Sequence, residues 1–107
     1  MWGICLDINA PELFQTVVQY DEDRQDGKAV ILLPKSVYSP DLGSIKPLSA
    51  PPEFVYGARV SPLNHPEIEG RIARIFWHFD NDCFYYKIEI KGRIKSNRYF
   101  AEELTEV

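Results

Sequence analysis

Apolar and polar residues alternate along two stretches of the chain, and this alternation predicts a mainly β protein. Residues 2–8 carry a large apolar side chain at every second position, which is typical of a half-buried strand. Residues 84–91 show the clearest pattern, because aromatic and aliphatic side chains occupy the even positions while charged ones and Tyr85 occupy the odd positions. One face of that strand is therefore expected in the core, and the other in solvent or against a partner.

Other β-prone runs flank recognisable turns. Residues 16–20 and 28–33 predict a hairpin whose charged loop ends at Gly27, a residue that adopts positive φ at little cost. Residues 71–79 predict a strand joined to 84–91 through the turn residues 80–82. The remaining predicted elements are a strand over 54–60, a tight Lys91-Gly92 turn, a returning strand over 93–97, and one helical or 3₁₀ turn over 101–104.

Prolines divide the chain into two parts. Five prolines and four serines lie between residues 34 and 52, which predicts a connector, and its apolar residues predict that it is ordered. We expect residues 1–53 to form an N-terminal β-hairpin extension and Pro-rich connector, packed on a small barrel formed by residues 54–107. A chain of 107 residues can bury one substantial core.

The second part resembles SH3-like small barrels of the Tudor and KOW kind. The resemblance covers residues 54–107 and rests on the motifs Y-G-x-R-V at 56–60, G-x-I-x-x-I-x-W at 70–77, the Lys91-Gly92 turn, and E-E-L at 102–104 before a last strand. The same region is similar to uncharacterised bacterial small domains with the pattern HPEI-x-G, W-H and RYF-x-E-x-L. The resemblance implies an SH3-like barrel that serves as a binding module.

The resemblance also implies two kinds of ligand. Tudor-type domains hold methylated lysine or arginine in a cage of aromatic rings, whose quadrupoles attract a cation. KOW-type domains contact RNA or ribosomal partners through basic loops. The candidate cage residues here are Tyr56, Trp77, Phe79, Tyr85 and Tyr99.

The distribution of charge along the chain bears on which kind of ligand it can bind. The formal net charge is −4, and the excess of acids lies in residues 1–53, which hold eight acids and four bases. An acidic chain is a poor general binder of phosphate backbones, which need clustered Lys and Arg. A local basic and aromatic face is nevertheless predicted around the last hairpin, from Lys87, Lys91, Arg93, Lys95 and Arg98 with Tyr85 and Tyr99. Alternation would place Tyr85, Lys87, Glu89 and Lys91 beside Arg93 and Lys95, and Glu89 weakens the positive charge of this face. The alternative is an ordinary solvated sheet face.

No catalytic motif is present in the sequence. The phosphate-binding glycine loops are absent, and paired metal-ligand spacings are absent too. His78, Asp80 and Asp82 alternate through a turn, but a histidine beside a polar turn is the simpler interpretation. Cys5 and Cys83 lie far apart and are expected to be free thiols. We therefore expect no enzyme activity, no metal and no cofactor.

These observations rank three functions. The first is a non-enzymatic protein-interaction module that engages a protein partner; the second is a nucleic-acid-associated protein; the third is an acidic inhibitor or immunity-like protein that binds a basic partner through residues 21–26. The absence of a secretory signal and of a long apolar stretch predicts a cytoplasmic protein without membrane association. The oligomeric state stays open. The candidate binding residues are Trp77, His78, Tyr85, Lys87, Lys91, Arg93, Lys95 and Tyr99.

Overall fold

The computed structural model describes residues 1–107, which form two units, Met1–Pro51 and Pro52–Val107. Each unit is built on one antiparallel sheet, so the prediction of a mainly β protein is confirmed. The two helical segments are single 3₁₀ turns, at Leu42–Ser44 and Ala101–Glu103. No helix of the chain is long and apolar enough to cross a membrane.

The first unit contains a four-stranded sheet. Its strands are β1 (Trp2–Cys5), β2 (Val17–Asp23), β3 (Lys28–Leu33) and β4 (Ile45–Pro47), in the order β3-β2-β1-β4. The predicted hairpin corresponds to β2 and β3, and its turn contains Gly27 at a φ of 67°. The predicted connector also contributes a strand, because β4 pairs with β1 and the Ile45 side chain is buried in the core.

The second unit contains a six-stranded sheet. Its strands are β5 (Arg59–Pro62), β6 (Gly70–His78), β7 (Cys83–Ile90), β8 (Arg93–Ile94), β9 (Tyr99–Phe100) and β10 (Leu104–Glu106). The order is β10-β5-β6-β7-β8, and β9 also pairs with β7. No ladder joins β10 to β8 or β9, so this sheet is open and does not close into the barrel that was expected.

Two predicted strands are shorter than expected. Residues 54–58 are outside the strands and contain a turn at Tyr56 and Gly57, with Gly57 at a φ of 86°, so β5 begins at Arg59. The returning strand ends at Ile94, and pairing with β7 resumes at Tyr99. The expected turn before the last strand is the Ala101–Glu103 3₁₀ turn, where the Glu103 carboxylate accepts a 2.9 Å hydrogen bond from the Phe100 N–H.

The long β6–β7 hairpin is bent by a β-bulge. Ile72 lies opposite Ile88, whereas Arg74 lies opposite Lys87, so Ala73 is the extra residue of β6. Beyond the bulge, Ile75 lies opposite Tyr86, and both side chains are fully buried. The bulge therefore keeps apolar side chains on the core face along the full length of β6.

Tyr86 connects this sheet to the beginning of the second unit. Its ring is fully buried and packs edge-to-face on Phe54, with 5.5 Å between the centroids. Its hydroxyl accepts hydrogen bonds from the backbone N–H groups of Glu53, at 3.2 Å, and Phe54, at 3.5 Å. Burial raises the pKa of this phenol, while those two N–H groups lower it.

Replacement of Gly70 by alanine is expected to destabilise the second unit by about 1–3 kcal/mol, because overpacking forces the backbone to shift. A Cβ at this position would lie 2.8 Å from the Glu89 carbonyl oxygen of the neighbouring strand. Urea unfolding measures the change. Gly43→Ala is the matched control, since nothing lies within 4 Å of its added Cβ, and an equal loss in both variants would contradict this account.

The Tyr86→Phe variant is expected to lose about 1–3 kcal/mol, because the buried Phe54 N–H and the partly buried Glu53 N–H lose their acceptor. The raised pKa also predicts a pH dependence. The neutral phenol is favoured by folding, so its contribution is complete below the ordinary tyrosine pKa of about 10 and is lost as pH rises above it. Unfolding followed from pH 8 to about 11 should show a smaller alkaline loss in Tyr86→Phe than in the wild type.

Candidate functional site

One face of the β6–β7–β9 sheet combines cations with aromatic rings. Residues directly opposite each other in an antiparallel pair place their side chains on the same face. Arg74 lies opposite Lys87, and Phe76 lies opposite Tyr85, so these four side chains share the face turned away from buried Ile75 and Tyr86. With three neighbours they form the cation–aromatic face: Arg74, Phe76, His78, Tyr85, Lys87, Arg98 and Phe100.

The rings of this face are stacked and covered by cations. Phe76 and Tyr85 are stacked, with 5.1 Å between centroids and 21° between planes. The Arg98 guanidinium lies 5.2 Å from the Tyr85 centroid, and the Lys87 ammonium lies 6.0 Å from the Phe76 centroid. Both distances are within the range of cation–π attraction. The stacked pair is therefore bordered by positive charges.

His78 joins the same face at its turn end. Its ring lies 6.1 Å from Tyr85 and 5.7 Å from Phe100, measured between centroids. Its Nδ1 accepts a 3.2 Å hydrogen bond from the Asn81 N–H, which leaves Nε2 as the protonated nitrogen of the neutral ring. No group of three or more His, Cys, Asp or Glu side chains in the chain is arranged to hold a metal ion.

The cations of the face have no acidic partner. The ion pairs of the chain are Arg24–Glu22, Lys28–Asp41, Arg59–Glu69 and His65–Glu67. Arg74 and Lys87 are direct neighbours across the β6–β7 ladder, and like charges in that arrangement repel each other. Arg74, Lys87 and Arg98 thus form no ion pair, although Glu89, two residues from Lys87 along β7, lies on the same face.

Positive charge is concentrated in this part of the chain. Residues 70–100 hold seven basic and three acidic side chains, whereas the rest of the chain holds five basic and thirteen acidic ones. An acidic protein therefore contains a locally basic segment of formal charge +4, from seven positive and three negative side chains. Such segregation creates a field that selects negatively charged partners.

Only part of the predicted site comes together. His78, Tyr85 and Lys87 lie on the cation–aromatic face. Trp77 and Tyr99 lie on the opposite face, because they pair with Phe84 and Tyr86.

The expected alignment of Arg93 with Tyr85 and Lys87 is wrong. A two-residue turn makes Ile90 and Arg93 opposite each other, which sends Arg93 to the core-side face and places Ile94 beside Glu89. Lys91 lies in that turn, at a φ of 50°, and Lys95 lies outside the strands; both side chains are exposed.

Three members of the face were absent from the predicted residues: Arg74, Phe76 and Phe100. A signal for two of them exists in the sequence, because counting back from His78 in steps of two reaches Phe76 and Arg74. Arg98 and Phe100 depend on β9 returning to β7 after a break in pairing, which has no local sequence signal.

The candidate cage residues do not gather around one point on this sheet. Tyr85 and Trp77 lie on opposite faces, and Arg98 already occupies a position over the Tyr85 ring. Tyr56 is partly buried, and burial raises the pKa of its phenol well above the ordinary value.

The acidic residues of the first unit are also divided between two faces. Asp21 and Asp23 are separated by Glu22 along β2, and successive strand residues point to opposite faces. Glu22 forms an ion pair with Arg24 at 2.7 Å, and the Asp23 carboxylate accepts a hydrogen bond from the Asp26 N–H at 3.3 Å. Binding of a basic partner by these residues stays a prediction.

Arg74→Glu is expected to stabilise the second unit by about 0.2–1 kcal/mol, because a repulsive cross-strand pair becomes an attractive one with Lys87. Urea unfolding at low and high salt measures the effect, and salt should reduce it. Lys95→Glu makes the same charge change at an exposed position without a cross-strand partner, so it should alter stability by less than about 0.5 kcal/mol. Destabilisation by Arg74→Glu alone would contradict the proposed repulsion.

Comparison with known proteins identifies one family. Residues 44–105, more than half of the chain, match the model of a family of unknown function (DUF6960). This region includes the whole cation–aromatic face. No curated protein and no solved structure matches the chain significantly. The chain belongs to the DUF6960 family.

Proposed function

We propose that the chain is a non-enzymatic protein-interaction module whose cation–aromatic face binds an acidic segment of a partner protein. The observation that carries this proposal is the juxtaposition of Arg74 and Lys87, neither of which forms an ion pair with a carboxylate. A carboxylate placed between two neighbouring cations relieves their repulsion and forms charge-assisted hydrogen bonds. The face is therefore suited to a ligand that brings negative charge.

The aromatic part of the face gives such a ligand an apolar surface. Phe76, Tyr85 and Phe100 are partly exposed, and aromatic and Arg side chains are frequent among the residues that dominate binding energy in protein interfaces. The rings are already packed against each other and against cations, so they lose little conformational entropy on binding. A segment that alternates acidic and apolar residues has the matching chemistry.

The covered rings favour a protein over a nucleic acid. Bases bind to aromatic side chains by stacking on an open ring face, and here Tyr85 is flanked by Phe76 and Arg98. The thirteen acids outside residues 70–100 would also repel a long polyanion that extends beyond the face. A single-stranded nucleic acid is the second candidate partner, favoured by the additional exposed cations Lys91, Arg93 and Lys95.

The proposal includes an open, SH3-like arrangement of the second unit. Two observations support it: the last strand, β10, pairs with the first, β5, and a 3₁₀ turn directly precedes β10. We further propose a cytoplasmic setting, in which the free thiols of Cys5 and Cys83 stay reduced.

The test compares two probes, a short peptide rich in Glu, Asp and Phe and an oligothymidylate, by fluorescence anisotropy at low and moderate salt. The wild type is expected to bind the peptide, and the Arg74→Glu, Lys87→Glu double variant is expected to lose at least about tenfold in affinity. Arg93→Glu with Lys95→Glu is the matched control, because it makes the same charge change off the face.

The outcomes separate the two partners. Loss of peptide binding in the first double variant alone supports the acidic protein partner. Tighter binding of the oligonucleotide, abolished by both double variants and steeply weakened by salt, would instead favour a nucleic acid. If the wild type binds neither probe at low salt, the cation–aromatic face is not a binding site for anionic partners.

A further inference from the structure

The first unit contains an open cavity that is separate from the cation–aromatic face. Its volume is about 730 Å³, within the range of small-ligand sites. Buried Ala10, Leu13 and Ile31 contribute apolar surface, and Lys35 and Glu12 bring opposite charges to its lining. All these residues precede residue 44, so the cavity lies outside the region matched by the family model.

Hydrogen bonds hold the loops around the cavity. The Tyr38 hydroxyl donates to Asp7 Oδ2 at 3.0 Å, across thirty-one positions of the sequence. The other carboxylate oxygen of Asp7 accepts from the Asn9 N–H at 2.9 Å, and Ser36 Oγ accepts from the Tyr38 N–H at 3.1 Å. These hydrogen bonds hold the 35–38 segment against the loop that follows β1. The walls of the cavity are therefore in place before any ligand binds.

An unpaired part of a strand edge borders this cavity. The Ala29 N–H donates to the Pro40 carbonyl, so it points away from β2. Hydrogen-bonding directions alternate along a strand, and Ile31 therefore directs its N–H and C=O to the same free edge as Ala29. Ile31 lines the cavity, and no backbone hydrogen bond joins it to the 35–40 segment. A ligand that carries an amide can use this donor and acceptor.

Lys35 supplies charge complementarity to a carboxylate. Arg24 and Lys28 of the first unit are held in ion pairs with Glu22 and Asp41, whereas Lys35 has no acidic partner. Glu12, which also lines the cavity, would repel a carboxylate, so a bound carboxylate is expected nearer Lys35 than Glu12.

We infer that this cavity binds a hydrophobic C-terminal residue of a peptide or protein. The apolar side chain packs against Leu13 and Ile31, the amide pairs with the Ile31 backbone, and the terminal carboxylate lies near the Lys35 ammonium. This is one form of peptide recognition, in which backbone pairing gives affinity and an adjacent pocket selects the side chain. The inference does not depend on the cation–aromatic face.

The experiment titrates N-acetyl-leucine into the full chain and follows backbone amide signals by NMR. Shifts are expected at residues 9–13, 31 and 35–38, with a dissociation constant on the order of millimolar for so small a probe. N-acetyl-leucinamide, which lacks the carboxylate, is expected to bind about tenfold more weakly. Shifts confined to the second unit, or equal binding of the two probes, would overturn the inference.

Charge variants make the test independent of folding defects. Lys35→Gln is expected to weaken N-acetyl-leucine binding about three- to tenfold, whereas Glu12→Gln is expected to strengthen it, because a repulsive charge is removed. Arg24→Gln changes the net charge as Lys35→Gln does but lies outside the cavity lining, so it should leave the affinity within about twofold. Identical effects of Lys35→Gln and Arg24→Gln would exclude a local role for Lys35.

Discussion

The second unit depends on the register of the β6–β7 ladder. The bulge at Ala73 shifts the alternation of β6 by one residue, so that Ile72 and Ile75 both reach the core although an odd number of positions separates them. The same shift places Arg74, Phe76 and His78 together on the outer face. The register of this ladder therefore sets both the packing of the core and the composition of the outer face. A slip by one residue would move each side chain of the strand to the opposite face of the sheet.

The cation–aromatic face shows how a surface can be stable without being neutral. Cation–π contacts at Phe76 and Tyr85 and the stacking of these rings contribute favourably, while the neighbouring charges of Arg74 and Lys87 oppose them. A carboxylate at position 74 would give a better cross-strand pair, so the arrangement present in the protein is not the one of maximal stability. Binding sites commonly retain such local conflicts because the partner relieves them.

The two units carry different recognition chemistry. The first unit is acidic and holds a cavity with apolar walls, one unpaired lysine and an unpaired strand edge at Ile31. The second holds most of the family-matched region and an open cationic surface. A cavity selects the end of a chain or a single side chain, whereas a sheet face contacts an extended segment. The two surfaces thus differ in shape and in charge.

The sequence by itself determined the mainly β class, the β2–β3 and β6–β7 hairpins, the Lys91-Gly92 turn and the core face of β7. Alternation over residues 84–91 identified Tyr86 and Ile88 as buried, and the Lys91-Gly92 pair identified the tight turn, because these features depend on neighbouring residues alone. Tertiary structure decided the rest. Pairing at a distance brought Arg98 and Phe100 to Tyr85, and the β1–β4 pairing made the connector part of a sheet. These features join residues far apart in the chain, and local periodicity carries no information about which distant strands will meet.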